Sequence, residues 1–160
     1  MHAKTLAAGL LALALAAAPL GADGVSFLVL ETGLPGGGGP SRHSVMWEDG
    51  LFEAFFEAGR VTSNAPSARI PGAPGAGLPP EADACYRDAI AGGMGYFLVA
   101  IIDHPSLDVS LRLFSTRTGE AIAETTRVGG SARSAREELE SVRGAAGEMA
   151  ALLRRLGEAR

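Results

Sequence analysis

A chain of 160 residues, 47% of them apolar, with 18 acidic residues against 14 basic ones, is long enough to bury the core of a single domain and too apolar to be disordered throughout. Its net charge of −4, with Lys4 the only lysine and the arginines scattered among carboxylates, gives no basic patch for nucleic acid. The single cysteine, Cys85, excludes an intrachain disulfide, so the fold must rest on its core. Cys85 reads as a small buried residue on a helix, not as a reactive thiol.

In chain order, residues 1–22 read as a secretory signal: His2 and Lys4 make a short polar start, Leu6 to Ala18 an apolar middle, and Ala22 a small residue before Asp23. The expected domain is then 23–160. No cysteine follows the apolar stretch, so lipid attachment there is not expected, and any membrane contact would run only through the signal segment left uncleaved as an amino-terminal anchor. Val25 to Glu31 reads as a first interior strand. The glycine run 33–40 lacks the Lys-Ser or Lys-Thr of a phosphate loop and the spacing of a dinucleotide fingerprint, and reads as a flexible connection.

Ser41 or Ser44 can cap the helix that follows and Gly59 can end it. Val45, Phe52, Phe55 and Phe56 recur at helical spacing as its expected core stripe, with Asp49, Glu53 and Glu57 on a solvated face. Arg42, His43, Trp47 and Glu48 gather basic, aromatic and acidic groups near the helix start, and are the expected partner-binding surface. A brief strand, 60–63, leads into a Pro/Gly/Ala stretch, 67–80, expected to run over the surface. A helix over 81–91 follows, with Ala82, Cys85, Tyr86, Ala89 and Ile90 apolar and Gly92-Gly93 as its stop.

Gly95 to Asp103 is the central expectation. Tyr96 to Ile102 is an unbroken apolar run with no polar face, which requires cover on both sides. After the turn His104-Pro105-Ser106, where His104 is expected to be exposed, Leu107, Val109, Leu111 and Leu113 alternate with polar residues. The turn at 116–120 and the return at 121–126 make a hairpin. Ser134 with Glu137 is a capping-box signature for a last helix carrying Leu139, Val142, Ala146, Met149, Leu153 and Leu156 on one face. The fold expected is a single small α/β (α+β) domain with a mixed sheet of about five strands and three helices, in the order β-α-β-α-β-β-β-α.

Three readings of function follow. A hydrolase would use His104 as base, with Cys85 or a serine as nucleophile and Asp103 or Asp108 orienting it. Adjacent residues on an extended chain point to opposite sides, so Asp103 and His104 are not expected to bond each other, and no nucleophile-elbow pattern is present. His2, His43 and His104 lack metal-ligand spacing, so no metal, cofactor or catalytic residue is expected.

The step Gly59-Arg60-Val61, the Gly92-Gly93 stop feeding a buried strand, and the hairpin from Val109 to Thr118-Gly119-Glu120 together carry a resemblance. The chain resembles the small periplasmic α/β domain shared by the amino-terminal part of the Tol-system propeller protein, the curli secretion channel subunit and the lipoprotein activator of penicillin-binding proteins. The insert at 67–80 and the missing lipid-attachment cysteine depart from the lipoprotein members. The resemblance implies a periplasmic or secreted, non-enzymatic envelope role through protein–protein contacts: docking on an envelope partner, or self-association. The alternatives are the secreted hydrolase and the anchored, membrane-associated protein.

Overall fold

The structure, a computed structural model, describes residues 24–35, 38–129 and 134–158. The expected signal segment lies outside these residues, as do Gly36, Gly37 and Gly130. Strand β1 (Val25–Thr32) is followed by helix α1 (Arg42–Glu57), the short strands β2 (Thr62–Asn64) and β3 (Ala68–Arg69), and a 3₁₀ turn, Pro80–Ala82, that opens helix α2 (Asp83–Ala91). Strands β4 (Tyr96–Asp103), β5 (Asp108–Ser115) and β6 (Ala121–Arg127) precede helix α3 (Ala135–Glu158). The six strands form one mixed sheet in the order β2-β1-β4-β5-β6, with β3 also paired to β1. β1 runs parallel to β2, β3 and β4, whereas β4, β5 and β6 are antiparallel. A single small α/β domain is therefore observed as expected, with β3 added.

β4 lies between β1 and β5, and every residue from Tyr96 to Ile102 is buried. Alternate residues serve two cores. Tyr96, Leu98, Ala100 and Ile102 join Phe27 and Val29 of β1 beneath α1 and α3, where Trp47, Leu51, Phe55, Val142, Ala146, Met149 and Leu153 pack. Phe97, Val99 and Ile101 face the other way with Leu28 and Leu30, against Ala82 and Ala89 of the α2 side. The unbroken apolar run is the consequence of this double cover.

The helix ends follow their sequence signals. The Ser41 hydroxyl accepts hydrogen bonds from the His43 and Ser44 amides at the start of α1. Gly59, at φ 72°, ends α1 with Gly59 N–H donating to Phe56 O and Arg60 N–H to Phe55 O. Gly93 ends α2 the same way, with Met94 N–H donating to Ala89 O. Ser134 and Glu137 exchange the capping-box bonds at α3, the Ser134 amide donating to the Glu137 carboxylate at 2.8 Å.

Several expectations are corrected. Of the stripe expected to be core on α1, only Phe55 is buried; Val45, Phe52 and Phe56 are exposed, Phe56 at 69%. The buried face is Ser44, Trp47, Gly50, Leu51 and Phe55, about one residue step around the helix, because α1 must pack on α3 as well as on the sheet. A Cβ at Gly50 would run into Val142, so glycine sets how closely the two helices approach. Ile90 is exposed, and Cys85 is half-buried at the margin of the α2-side core. Burial and the neighbouring Asp88 push its thiol pKa up, away from reactivity.

The 67–80 stretch does more than cross the surface. Its Ala68 and Arg69 pair with Leu30 and Glu31, and Ile70 is buried. Arg112 holds its far end by donating to the carbonyls of Gly75 at 2.6 Å and Gly77 at 3.2 Å. Leu107 does not begin β5: it lies in the preceding turn at φ 57°, a left-handed conformation uncommon for a branched side chain.

Candidate functional site

In an open α/β sheet, ligand groups gather where parallel strands end side by side. Here that place is the end of β1 and β4, where Glu31 is level with Ile102 and Thr32 with Asp103. Phe27, Val29 and Ile102 point from these strands into the α1-side core, and by alternation Glu31 takes the next inward position. A carboxylate thus stands where the pattern calls for an apolar group, with its side chain 1% exposed.

Its partners converge from three segments. The Ser41 amide donates to Glu31 Oε1 at 3.2 Å, and His104 Nε2 lies 3.2 Å from the same oxygen. Arg69, level with Glu31 on β3, approaches Oε2 through Nε at 3.4 Å. The Ser41 and Ser44 side chains further favour its charged form. Burial alone would raise the Glu31 pKa; the bonds from Ser41, His104 and Ser44 outweigh it and hold the pKa below its ordinary value. The first turn of α1 has no acidic residue of its own, so Glu31 supplies the negative charge that a helix amino terminus favours.

A second layer surrounds this carboxylate. His43 Nδ1 pairs with Glu138, joining α1 to α3, and the His43 ring meets the edge of His104 with centroids 5.6 Å apart. Arg69 donates onward to the carbonyls of Pro35 at 3.0 Å and Gly39 at 2.7 Å, so the described part of the glycine run is fastened to the sheet rather than free. A side chain at Gly38 would collide with this guanidinium. Across the strand ends, Thr32 Oγ1 donates to Asp103 Oδ1 at 3.1 Å and Ser106 Oγ donates to Asp103 Oδ2 at 2.7 Å.

The residues expected to bind a partner are not assembled into one surface. Arg42 is exposed, but Trp47 is core, with 2% exposure, and His43 is turned inward to Glu138 and His104. Glu48 is half-buried, with Oε1 lacking a hydrogen-bond partner among the described residues. His104 is not the exposed turn residue expected: its side chain is 11% exposed and directed at Glu31. Asp103 bonds Thr32 and Ser106 and leaves His104 to Glu31, as the opposite directions of adjacent extended residues require. Glu31, Arg69 and Glu138 were not singled out by sequence, although Glu31 closing an apolar strand is a visible irregularity.

Chemically, the arrangement is a closed anion site. The place where a bound anion would meet the α1 amino terminus is filled by the chain's own carboxylate. The imidazole–carboxylate pairs could relay a proton, but His104 Nε2 is engaged by Glu31 and the Ser106 hydroxyl by Asp103. Among the described residues no group of three His, Cys, Asp or Glu side chains is placed to hold a metal ion, and no helix is long and apolar enough to cross a membrane.

No family model matches the sequence, and no curated protein does. Solved structures resemble the chain at low identity. PelC from Paraburkholderia phytofirmans, described as a dodecamer, is 13% identical over 80% of this chain and 86% of its own, with a TM-score of 0.50. A Xanthomonas campestris protein of family DUF330 is 12% identical over 86% of this chain and 88% of its own, at 0.44. TolB from Acinetobacter baumannii is 10% identical over 79% of this chain and 26% of its own, at 0.38. The likeness to PelC is one of fold alone.

Proposed function

We propose that the chain is an exported module of the cell envelope that acts through protein–protein contacts and not through catalysis. The observation that carries this reading is the sealed strand end: Glu31, 1% exposed and bonded by Ser41, Arg69 and His104, occupies from within the position at which such sheets take a ligand. With that position used to hold α1, β1, β3 and the β4–β5 turn together, the surfaces of the domain are left for recognition. The leader-like segment at 1–22 supports export. The fold shared with PelC, whose description is of a dodecamer, supports assembly with like copies as one form of contact. Kinship with the periplasmic domain of the Tol propeller, curli channel and penicillin-binding-protein activator group belongs to the same proposal, and rests on the Gly92-Gly93 step and the hairpin motif quoted above.

The test is in-cell crosslinking of the full chain followed by separation of the envelope. The expected result is recovery from the envelope fraction in a defined crosslinked complex. Recovery only as an uncrosslinked monomer, or retention in the cytoplasm, overturns the reading.

A further inference from the structure

The two edges of the sheet are unlike. On one side β2 has three residues and β3 two, separated by a segment containing Pro66, so no continuous ladder is offered there. On the other side β6 presents seven residues without proline or lysine, in continuous register with β5 from Ala123 to Arg127 and shifted by one residue at Ile122, and among the described residues it pairs only with β5. Edge strands of this length are ordinarily protected by outward charge. The two charged residues of β6 turn instead to partners within the chain: Glu124 accepts from Arg112 Nε at 3.0 Å, and Arg127 pairs with Glu148 of α3.

Hydrogen-bond alternation shows which main-chain groups point outward. Ser115 N–H donates across the hairpin to Glu120 O, while Thr116 N–H donates to Gly95 O on the β4 side. Odd-numbered residues of β5 therefore address β6. With Leu111 level with Thr125 and Val109 with Arg127, the amides and carbonyls of Thr125 and Arg127 are used on β5. Those of Glu124 and Thr126 point away from the sheet.

We infer that the β6 edge pairs antiparallel with β6 of a second copy, about a two-fold axis at Thr125, making one sheet across the dimer. This rests on the assembly reading above and names its surface. Centring on Thr125 places Glu124 opposite Thr126 of the second copy and Arg127 opposite Ala123, so no like charges face each other. The regular ladder then runs from Ala123 to Arg127 of each copy, flanked by Ile122, 38% exposed and skipped by β5 at a register shift, and by Val128, 70% exposed, just past the strand. A centre at Glu124 would oppose two carboxylates directly, and a centre at Thr126 would run off the end of the strand. A two-fold contact of this kind is isologous and closes on itself.

The register is tested by Thr125→Cys in a Cys85→Ser background of the full chain. In this register Thr125 faces its own copy in a non-hydrogen-bonded pair, about 5 Å between Cβ atoms. The expected result is a covalent dimer on mild oxidation, and a dimer by sedimentation equilibrium for the unmodified chain. Adding Thr126→Pro, whose lost N–H is one pointing outward, is expected to abolish both while circular dichroism and melting temperature stay those of the parent. Absence of the covalent dimer, or its survival with Thr126→Pro, overturns the inference, as does recovery of β6 crosslinked to a foreign strand. Failure here together with persistent in-cell envelope crosslinks removes the β6 edge and leaves the assembly reading standing. Loss of every envelope crosslink removes that reading.

Discussion

Glu31 decides how the end of the sheet behaves, and its pKa gives that role a pH signature. Burial opposes its charge, but the hydrogen bonds from Ser41, His104 and Ser44 prevail, and the folded-state pKa lies below the unfolded value. A carboxylate shifted in this direction contributes stability that is complete above its unfolded pKa and is lost as pH falls through the folded one. Replacing it by glutamine keeps the shape but removes the charge facing Arg69, His104 and the α1 amino terminus, at an expected cost of about 1–3 kcal/mol near neutral pH. Urea unfolding of the wild type and Glu31→Gln from pH 7 to pH 3 checks this: the wild-type advantage should be level above about pH 5 and shrink below about pH 4.5. A difference that stays constant across the range would mean that the charge of Glu31 contributes nothing. The residue was legible in sequence as a polar end to an apolar strand, but its role was not, because Ser41, Arg69 and His104 lie 10, 38 and 73 residues away.

Among the elements, α1 shows where periodicity stops being informative. Two stripes share Phe55: the aromatic one through Phe52 and Phe56, and the one through Ser44, Trp47 and Leu51 that the structure buries. Side-chain size favours the first. The second is chosen by the environment, since it alone sets Trp47, Leu51 and Phe55 against the sheet while presenting Gly50 to Val142 and Glu53 to Arg143 of α3. Phe52 and Phe56 are left stacked at the surface with centroids 6.4 Å apart and planes within 9°. Phe55→Ala should therefore cost about 3–5 kcal/mol through transfer and cavity terms, whereas Phe56→Ala should stay within about 0.5 kcal/mol. Chemical denaturation of the two variants separates them, and equal losses would mean that the helix is rotated relative to the description above. By contrast, the caps and stops at Ser41, Gly59, Gly93 and Ser134 were legible, because each is a local conformational requirement that needs no knowledge of the neighbour.

For the molecule as a whole, sequence conveyed the layers better than the order of the strands. A run without a polar face demands two covers, so the central position of β4 followed from Tyr96 to Ile102 alone. The β5–β6 hairpin is a local pairing and was equally visible. Which strands flank β1 was not, because its parallel partners come from crossovers, and β3 was hidden in a Pro/Gly stretch whose two paired residues, Ala68 and Arg69, carry no alternation. The resulting sheet is strongest where both neighbours and both covers are present, and weakest at its margins. Native-state hydrogen exchange should rank the amides accordingly: Leu98 to Ile101 of β4, with Phe27 to Leu30 of β1, exchange only on global unfolding, and β2 opens by local fraying. The β6 amides provide the informative comparison. Those bonded to β5, at Thr125 and Arg127, should be protected in any state of assembly, whereas those at Glu124 and Thr126 should be protected only in a two-fold pair. Protection at Glu124 and Thr126 that rises with protein concentration would come from a second copy; exchange at those two amides that is fast at every concentration would leave the β6 edge in water.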